Sequence, residues 1–350
     1  MEQMKAVAAM GDGSVQVVQV PKTQIRNPYE CLVRVTACGL CSSTDLKIAT
    51  HGSVAQMPIE YPTLLGHEGV GVIVETGEKV RYLKKGDRVV CPFGQPAGDF
   101  HNNWGGMNGY AIAHDIRALR EDGAETGDPF VDGVSELDYQ VKPIPEGMSD
   151  VDAVMLLTLK ENYSALKNFG VGAGSDLLIY GDGAVALGLA VFARLLGARS
   201  VINIGHHDDR LQRIRELANV DMTINSHTQD PAECIGDRRF DVVIDAVGST
   251  DIIVSGAQFL KPGGLMGVYG VLKQEHSTID LLALPNNVRL QMLNWPYHEH
   301  RTHDEVVAYV LEGKVDPKWF YSHVLLVDRA PRGFELIRSR KALKVIFTME

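Results

Sequence analysis

Three residue types that share an affinity for one kind of metal fall within a short N-terminal region. Cys41 closes the run Cys38-Gly-Leu-Cys41 and is followed by Ser42-Ser43-Thr44-Asp45, while His67 and Glu68 stand together in Gly66-His67-Glu68-Gly69. Thiolate, imidazole and carboxylate are the ligands of zinc sites that keep one position open for a water or a substrate oxygen. As plain core, His67-Glu68 would bury charge on a strand that continues into Val70-Gly71. The metal reading takes Cys41 and His67 as ligands and Glu68 as a direct or exchanging ligand. An alcohol held by such an ion loses its proton near neutral pH. Ser43 or Thr44 would then relay that proton, although either hydroxyl also suits a simple turn cap.

A second constellation lies about a hundred residues further on. Leu177-Leu-Ile-Tyr180 runs into Gly181-Asp-Gly183-Ala184-Val185-Ala186, a strand, a glycine turn and a helix start. Such glycines let the backbone approach a pyrophosphate, and the helix N-terminus offers N–H groups to it. An ordinary tight strand-to-helix turn would look similar in isolation, but further strand–helix units follow here. Gly181, Gly183, Ala184 and Val185 are therefore the candidate cofactor contacts, joined by Val247 and Tyr269 at the ends of later strands. A metal that binds an alkoxide, placed ahead of a nucleotide-binding unit, points to hydride transfer at an alcohol carbon.

The form of the cofactor turns on the end of the second strand of that unit. A site for NAD places Asp or Glu there to hold the ribose 2′-hydroxyl. Here the strand ends at Gly205, followed by His206-His207-Asp208-Asp209-Arg210. Gly205 leaves no carboxylate to repel a 2′-phosphate, and His206, His207 and Arg210 are the groups to contact one, which favours NADP(H). The alternative is NAD(H), with Asp208 holding the ribose.

The elements that must position these groups divide the chain by texture. Residues 4–110 hold short β-like runs broken by glycine, at 15–20, 31–37, 70–75 and 87–91, and read as a β-rich unit. Residues 114–139 are acidic and weakly periodic and read as a surface excursion. Ser149-Asp-Val-Asp152 is a capping-box start for a helix running to about Asn168. Continuous apolar strands then alternate with helices: 177–180, 201–204, 222–224, 241–246, 265–269 and a sixth at 288–293. Val185, Leu189, Phe192 and Leu196 fall on one helix face. Such strands, without polar alternation, belong to a parallel sheet covered on both faces. The tail, with a helix at 304–311 and strands at 324–327 and 343–347, is too short for a third core. It is expected to pack back on the first unit. The expected domains are residues 1–150, 151–294 and a return segment 295–350.

Size and charge narrow the classes. The chain has 350 residues, enough for about two domains, and a formal net charge of −10. It carries no basic cluster of the kind that binds nucleic acid, and Arg338 to Lys344 reads as a solvated helix end. No apolar run is long enough to span a membrane, and the N-terminus does not read as a signal peptide. The five cysteines are uneven in spacing, which argues against a disulfide framework and for a cytoplasmic location. Cys38-x-x-Cys41 as a redox dithiol is disfavoured, because that motif belongs at a strand-to-helix turn. His298-Glu-His300-Arg-Thr-His303 reads as a solvated loop rather than a second metal cluster, with Trp295 and Tyr297 near the pocket.

These segments resemble the zinc-dependent medium-chain dehydrogenases/reductases of the alcohol, polyol and threonine dehydrogenase group. The resemblance rests on Cys38-Gly-Leu-Cys41 with Thr44-Asp45, Pro62-Thr-Leu-Leu-Gly66-His67-Glu68-Gly69, Lys85-Gly86-Asp87-Arg88-Val89, Gly181-x-Gly183, Leu260-Lys-Pro-Gly-Gly264 and Lys341-Ala-Leu-Lys344. It covers nearly the whole chain. It implies an α/β protein: a GroES-like β-rich catalytic domain interrupted by a Rossmann domain with a doubly wound parallel sheet, and an active site in the cleft between them. It also implies a homodimer or homotetramer.

The chain departs from the family pattern in four places. Two residues, not one, separate Cys41 from the Thr44-Asp45 pair, and Lys47 stands where a His often ends the relay. The four-cysteine lobe of a structural zinc is missing after Cys91. The third zinc ligand of many relatives would fall near Leu156-Leu157-Thr158, where neither Cys nor Glu occurs; Lys160 and Glu161 follow on the same helix. One catalytic zinc on Cys41, His67 and Glu68 is therefore expected. The resulting reading is a Zn²⁺- and NADP(H)-dependent dehydrogenase of a small secondary alcohol, in the class of polyols, cyclitols and sugars. The polar stretch Asn102-Asn103-Trp104 is expected to shape its pocket. The competing reading is a metal-free NADPH-dependent double-bond or quinone reductase of the same fold, motivated by the missing third ligand. A non-enzymatic nucleotide-binding protein is the third.

Overall fold

The computed structural model describes residues 2–51, 53–54, 57–90, 93–102, 104–127, 129–133, 141–272, 278–294 and 297–349. β1 (Gln3–Ala9) and β2 (Val15–Pro21) form an antiparallel hairpin, widened by the short strands Thr63–Leu64 and His101–Asn102. β3 (Glu30–Leu40) is the axis of a second sheet, and its end turns into α1 (Asp45–His51). β4 (Glu68–Thr76) runs back antiparallel to β3, β5 (Arg88–Val90) lies beside β4, and β6 (Tyr110–His114) pairs with the first half of β3. Val33, Val35, Val70 and Ile73 are buried on this sheet.

The 114–139 stretch is not simply a surface loop. α2 (Ile116–Glu121) starts at Asp115, whose carboxylate accepts from the Ala118 amide at 3.1 Å, and Ile116, Ala118 and Leu119 are buried. An N-cap carboxylate ahead of a short apolar run is enough to close such a helix. Residues 134–140, including Glu136, lie outside the described residues.

α3 (Asp150–Asn168) begins at the expected capping box: Ser149 Oγ accepts from the Asp152 amide at 3.1 Å and donates to Asp152 Oδ2 at 2.7 Å. Then come β7 (Asp176–Tyr180), α4 (Ala184–Leu195), β8 (Ser200–Gly205), α5 (Asp208–Ala218), β9 (Met222–Asn225), β10 (Phe240–Asp245), α6 (Thr250–Ala257), β11 (Leu260–Val268) and β12 (Arg289–Met292). All six strands are parallel, in the order β9-β8-β7-β10-β11-β12. The order reverses beside β7, so the loops after β7 and β10 diverge and leave a crevice at the strand ends.

The tail comprises α7 (His303–Leu311), β13 (His323–Leu326), α8 (Ala330–Arg338) and β14 (Val345–Thr348). β14 pairs antiparallel with the end of β3, matching Val345 with Leu40, Ile346 with Gly39 and Phe347 with Cys38. Phe334, Leu336 and Ile337 of α8 enter the same core cluster as Val7, Leu40 and Phe347. The chain thus forms two compact units, Met1–Leu157 with His303–Glu350, and Thr158–Thr302. The first boundary lies inside α3 rather than at residue 150, because the start of that helix packs on β3: Val154 sits against Gly39. The second lies at residue 302 rather than 294.

The segment from His298 is not a solvated loop. Glu299, His300, Thr302 and His303 are all at least 95 % buried, and Thr302 Oγ1 donates to the Glu299 carbonyl at 2.8 Å in a 3-10 turn. Trp295 and Pro296 lie outside the described residues; Tyr297 stacks on Tyr269 with ring centroids 5.3 Å apart.

Candidate metal centre and nucleotide turn

The β3–β4–β14 pairing explains why distant parts of the chain meet. The end of β3 delivers Cys41, the start of β4 delivers His67 and Glu68, and the start of β14 delivers Lys344, since Gly39 is paired with Glu68 on one side and Ile346 on the other. One ligand atom from each of Cys41, His67 and Glu68 lies within 4.8 Å of the others, and this is the only such group of three or more among the described residues. Zinc bonds of about 2.0–2.3 Å reach across a group of that size with small side-chain adjustments.

Asp45, fully buried, ties the two ligand loops together. Its carboxylate accepts from the Cys41 amide at 2.9 Å and from the Gly66 amide at 3.1 Å, and His67 Nδ1 lies 3.5 Å from Oδ1. Burial pushes the Cys41 thiol up, but the neighbouring His67 outweighs it and holds the thiol below its ordinary range. Burial likewise works against a charged His67, yet Asp45 and Cys41 keep its imidazole well above the usual range. Each of the two therefore favours the charged form of the other. The thiolate is the form that binds metal, and zinc would displace the imidazolium proton on binding. The donor set fits zinc.

The place of Lys344 was not foreseen. Lys344 is not a solvated helix end: it is 7 % exposed, and its Nζ lies 2.6 Å from Glu68 Oε1 and 2.5 Å from Oε2. Gly39 makes room for this pair, because a Cβ there would strike Glu68 Oε2 and approach Lys344 Cε to 3.1 Å. The edge of the Trp104 ring meets His67 with centroids 5.5 Å apart, while Asn103 lies outside the described residues. Ser43 Oγ is 3.2 Å from Cys41 Sγ, whereas the carbonyl of Thr44 accepts from Ile48 in the first turn of α1. Cys38 is buried in the core beside Phe347, away from a dithiol role. Glu161 is not part of the ligand group. Cys91 lies outside the described residues.

In the second unit, Gly183 caps α4 and its carbonyl accepts from Leu187, and a Cβ on Gly183 would meet nothing within 4 Å. The first N–H groups of α4, at Ala184 and Val185, have no intrahelical partners. Asp245 shapes the facing turn: fully buried, it accepts from the amides of Val247, Gly248 and Ser249 at 2.8–2.9 Å, and Val247 is exposed above it. Asp182, unremarked in the sequence, fills the place where a side chain on Gly205 would be; a Cβ on Gly205 would lie 2.7 Å from Asp182 Cβ. Its Oδ2 accepts from the amides of His206 and His207 at 2.7 and 3.0 Å and lies 2.9 Å from His207 Nδ1. Arg210 sits 3.6 Å from Oδ1. The imidazole of His207 is therefore turned back on Asp182. Asp208 accepts from Asn225 Nδ2 at 2.6 Å.

Comparison with known proteins places both units in known domain families. Residues 27–120 match the alcohol dehydrogenase GroES-like domain and residues 184–309 the zinc-binding dehydrogenase domain. A probable zinc-binding alcohol dehydrogenase of Mycobacterium tuberculosis is 30% identical over 99% of this chain and 88% of its own length. Sorbitol dehydrogenase 1 of Saccharomyces cerevisiae is 26% identical, over 92% of this chain and 91% of that protein. A zinc-binding dehydrogenase from Sinorhizobium meliloti, solved with NADP, shares the fold at a TM-score of 0.79 and 23% identity, over 99% of this chain and 100% of that one. The chain belongs to the zinc-dependent medium-chain dehydrogenase family, a Rossmann unit with a GroES-like unit, and is an oxidoreductase of CH–OH groups. The metal-free alternative is not favoured by these relatives.

Proposed function

We propose that the protein interconverts a secondary alcohol and its ketone with one catalytic zinc and NADP(H), and that the substrate is a polyol, cyclitol or sugar-like molecule. The observation that carries this reading is the convergence of Cys41, His67 and Glu68 around one point. These three residues would hold the zinc, whose Lewis acidity eases loss of a proton from an alcohol hydroxyl. Asp45 orients His67 and braces both ligand loops. Ser43, whose Oγ lies next to Cys41 Sγ, or Thr44 would relay the proton in the oxidative direction, accepting it from the substrate hydroxyl while passing its own hydroxyl proton on to solvent, and would run the relay in reverse in reduction. The N–H groups at Ala184 and Val185 hold the pyrophosphate, with Gly181 and Gly183 admitting it; Val247 and Tyr269 border the same crevice.

The yeast sorbitol dehydrogenase supports the polyol class. The NADP bound to the Sinorhizobium protein and the exposed His206 just after β8 support the phosphorylated cofactor. A homodimer or homotetramer is in keeping with β12, an edge strand that exposes Leu290 and Met292. Among the described residues no helix is long and apolar enough to cross a membrane; a cytoplasmic location fits the uneven spacing of the five cysteines.

The test is cofactor reduction by purified protein against polyols, cyclitols and monohydric alcohols, with NADP⁺ or NAD⁺, before and after chelation. Turnover of a polyol or cyclitol that chelation abolishes and zinc restores supports the proposal. Reduction of an activated double bond, unaffected by chelation, contradicts it.

A further inference from the structure

The rings of His206 and His227 lie stacked, with centroids 4.2 Å apart and planes 35° from parallel. His206 follows β8 and His227 follows β9, so the contact joins two loops at the ends of neighbouring strands. Both residues are exposed. The loop bearing His227 is fixed from below. Ser226 donates to the Gly205 carbonyl from its amide at 3.0 Å and from its hydroxyl at 3.2 Å, the His227 amide donates to Asn225 Oδ1 at 3.0 Å, and Asn225 in turn holds Asp208.

The turn bearing His206 is fixed by Asp182. That carboxylate is directed at the turn itself: Oδ2 meets two amides and the His207 ring, and Arg210 stands near Oδ1. The charge of Asp182 is thereby matched within the protein. Asp182 thus supplies the turn with its anchor while His206 and His227 form the exposed imidazole surface.

We infer that the stacked imidazoles of His206 and His227 form the seat of the phosphate monoester on the adenosine ribose, so that His227, from a separate loop, is a specificity-determining residue for NADP(H) over NAD(H). Imidazole N–H groups donate charge-assisted hydrogen bonds to phosphate oxygens. Two rings from two loops present such donors from a surface neither loop provides alone. The inference rests on the NADP(H) reading above.

The test measures dissociation constants of NADPH and NADH for wild type, His227→Ala and Asp182→Asn by fluorescence titration of the purified protein. Wild type is expected to favour NADPH. His227→Ala is expected to weaken NADPH about tenfold and leave NADH within about twofold, a loss of about 1.4 kcal/mol confined to the phosphorylated cofactor. Asp182→Asn keeps an acceptor for the turn and is expected to preserve the NADPH preference. Wild type that binds NADH as tightly as NADPH overturns the cofactor reading, and the inference with it. Wild type that favours NADPH, with His227→Ala leaving the ratio of the two constants unchanged, overturns the inference alone.

Discussion

Lys344 and Glu68 form a buried ion pair, Nζ to carboxylate oxygens at 2.5 and 2.6 Å, between strands far apart in the chain. The carboxylate is also one of the three candidate zinc ligands. Without metal, the ammonium compensates a charge that would otherwise be stranded in the core. With a metal bound, Glu68 would be shared between two cations and would not become an unpaired buried anion on leaving it.

Lys344→Met should therefore cost more in the chelated protein than in the zinc-loaded one. Stranding a buried carboxylate costs about 3–5 kcal/mol, and zinc should recover much of that loss. Thermal melting of wild type and Lys344→Met, each with and without zinc, checks it. An equal loss in the two states would show that Glu68 does not face the metal.

Gly39 has no tolerance for a side chain, because its Cβ position is already taken up by Glu68 Oε2 and hemmed in by Val154 and Lys344. Gly39→Ala should push Glu68 off its position, destabilise the fold by about 1–3 kcal/mol through overpacking and weaken zinc binding. Denaturant unfolding together with zinc titration checks both. Wild-type zinc affinity in a folded Gly39→Ala protein would place the ligand carboxylate elsewhere.

The second unit has a pH-dependent brace at the start of β7. Asp176 pairs with Arg199 and with Lys261, the latter at 2.8 Å, and these cations lower its carboxyl to about 2. An unfolded Asp titrates near about 3.9. Its contribution is thus complete above about pH 4 and lost as pH falls through about 2. The pair is partly open to solvent, so about 1 kcal/mol is expected after screening. Asp176→Asn should lower stability at neutral pH and flatten the acid limb of the stability curve. An unchanged acid limb would contradict the pairing.

The parallel sheet was legible because strands covered on both faces are apolar almost throughout; Leu177 to Tyr180 are buried in this way, and Val201 to Ile204 depart from it only at the buried Asn203. The Ser149–Asp152 capping box was legible because it is local. The candidate ligands Cys41, His67 and Glu68 stood out as residue types out of place in a strand context. Lys344 did not, because a lysine next to a strand end reads as solvated until the residue opposite is known, and that residue is 276 positions away. Asp182 escaped notice for a related reason. The position that normally speaks for the cofactor is Gly205, and the carboxylate that fills its place comes from the preceding glycine turn. The burial of Glu299, His300, Thr302 and His303 was missed because polar and charged residues in a row resemble a loop, and nothing in their spacing announces burial. The helix at Ile116–Glu121 was hidden by the acidic residues around it, one of which caps it.

The most direct test of the central claim is the zinc content of the purified protein, measured by elemental analysis for wild type and Cys41→Ser in parallel with alcohol oxidation. About one zinc per chain in the wild type, lost together with activity in the variant, is the predicted result. Wild type free of zinc after expression in zinc-replete medium yet fully active, or zinc retained by Cys41→Ser, would contradict a catalytic metal at Cys41, His67 and Glu68.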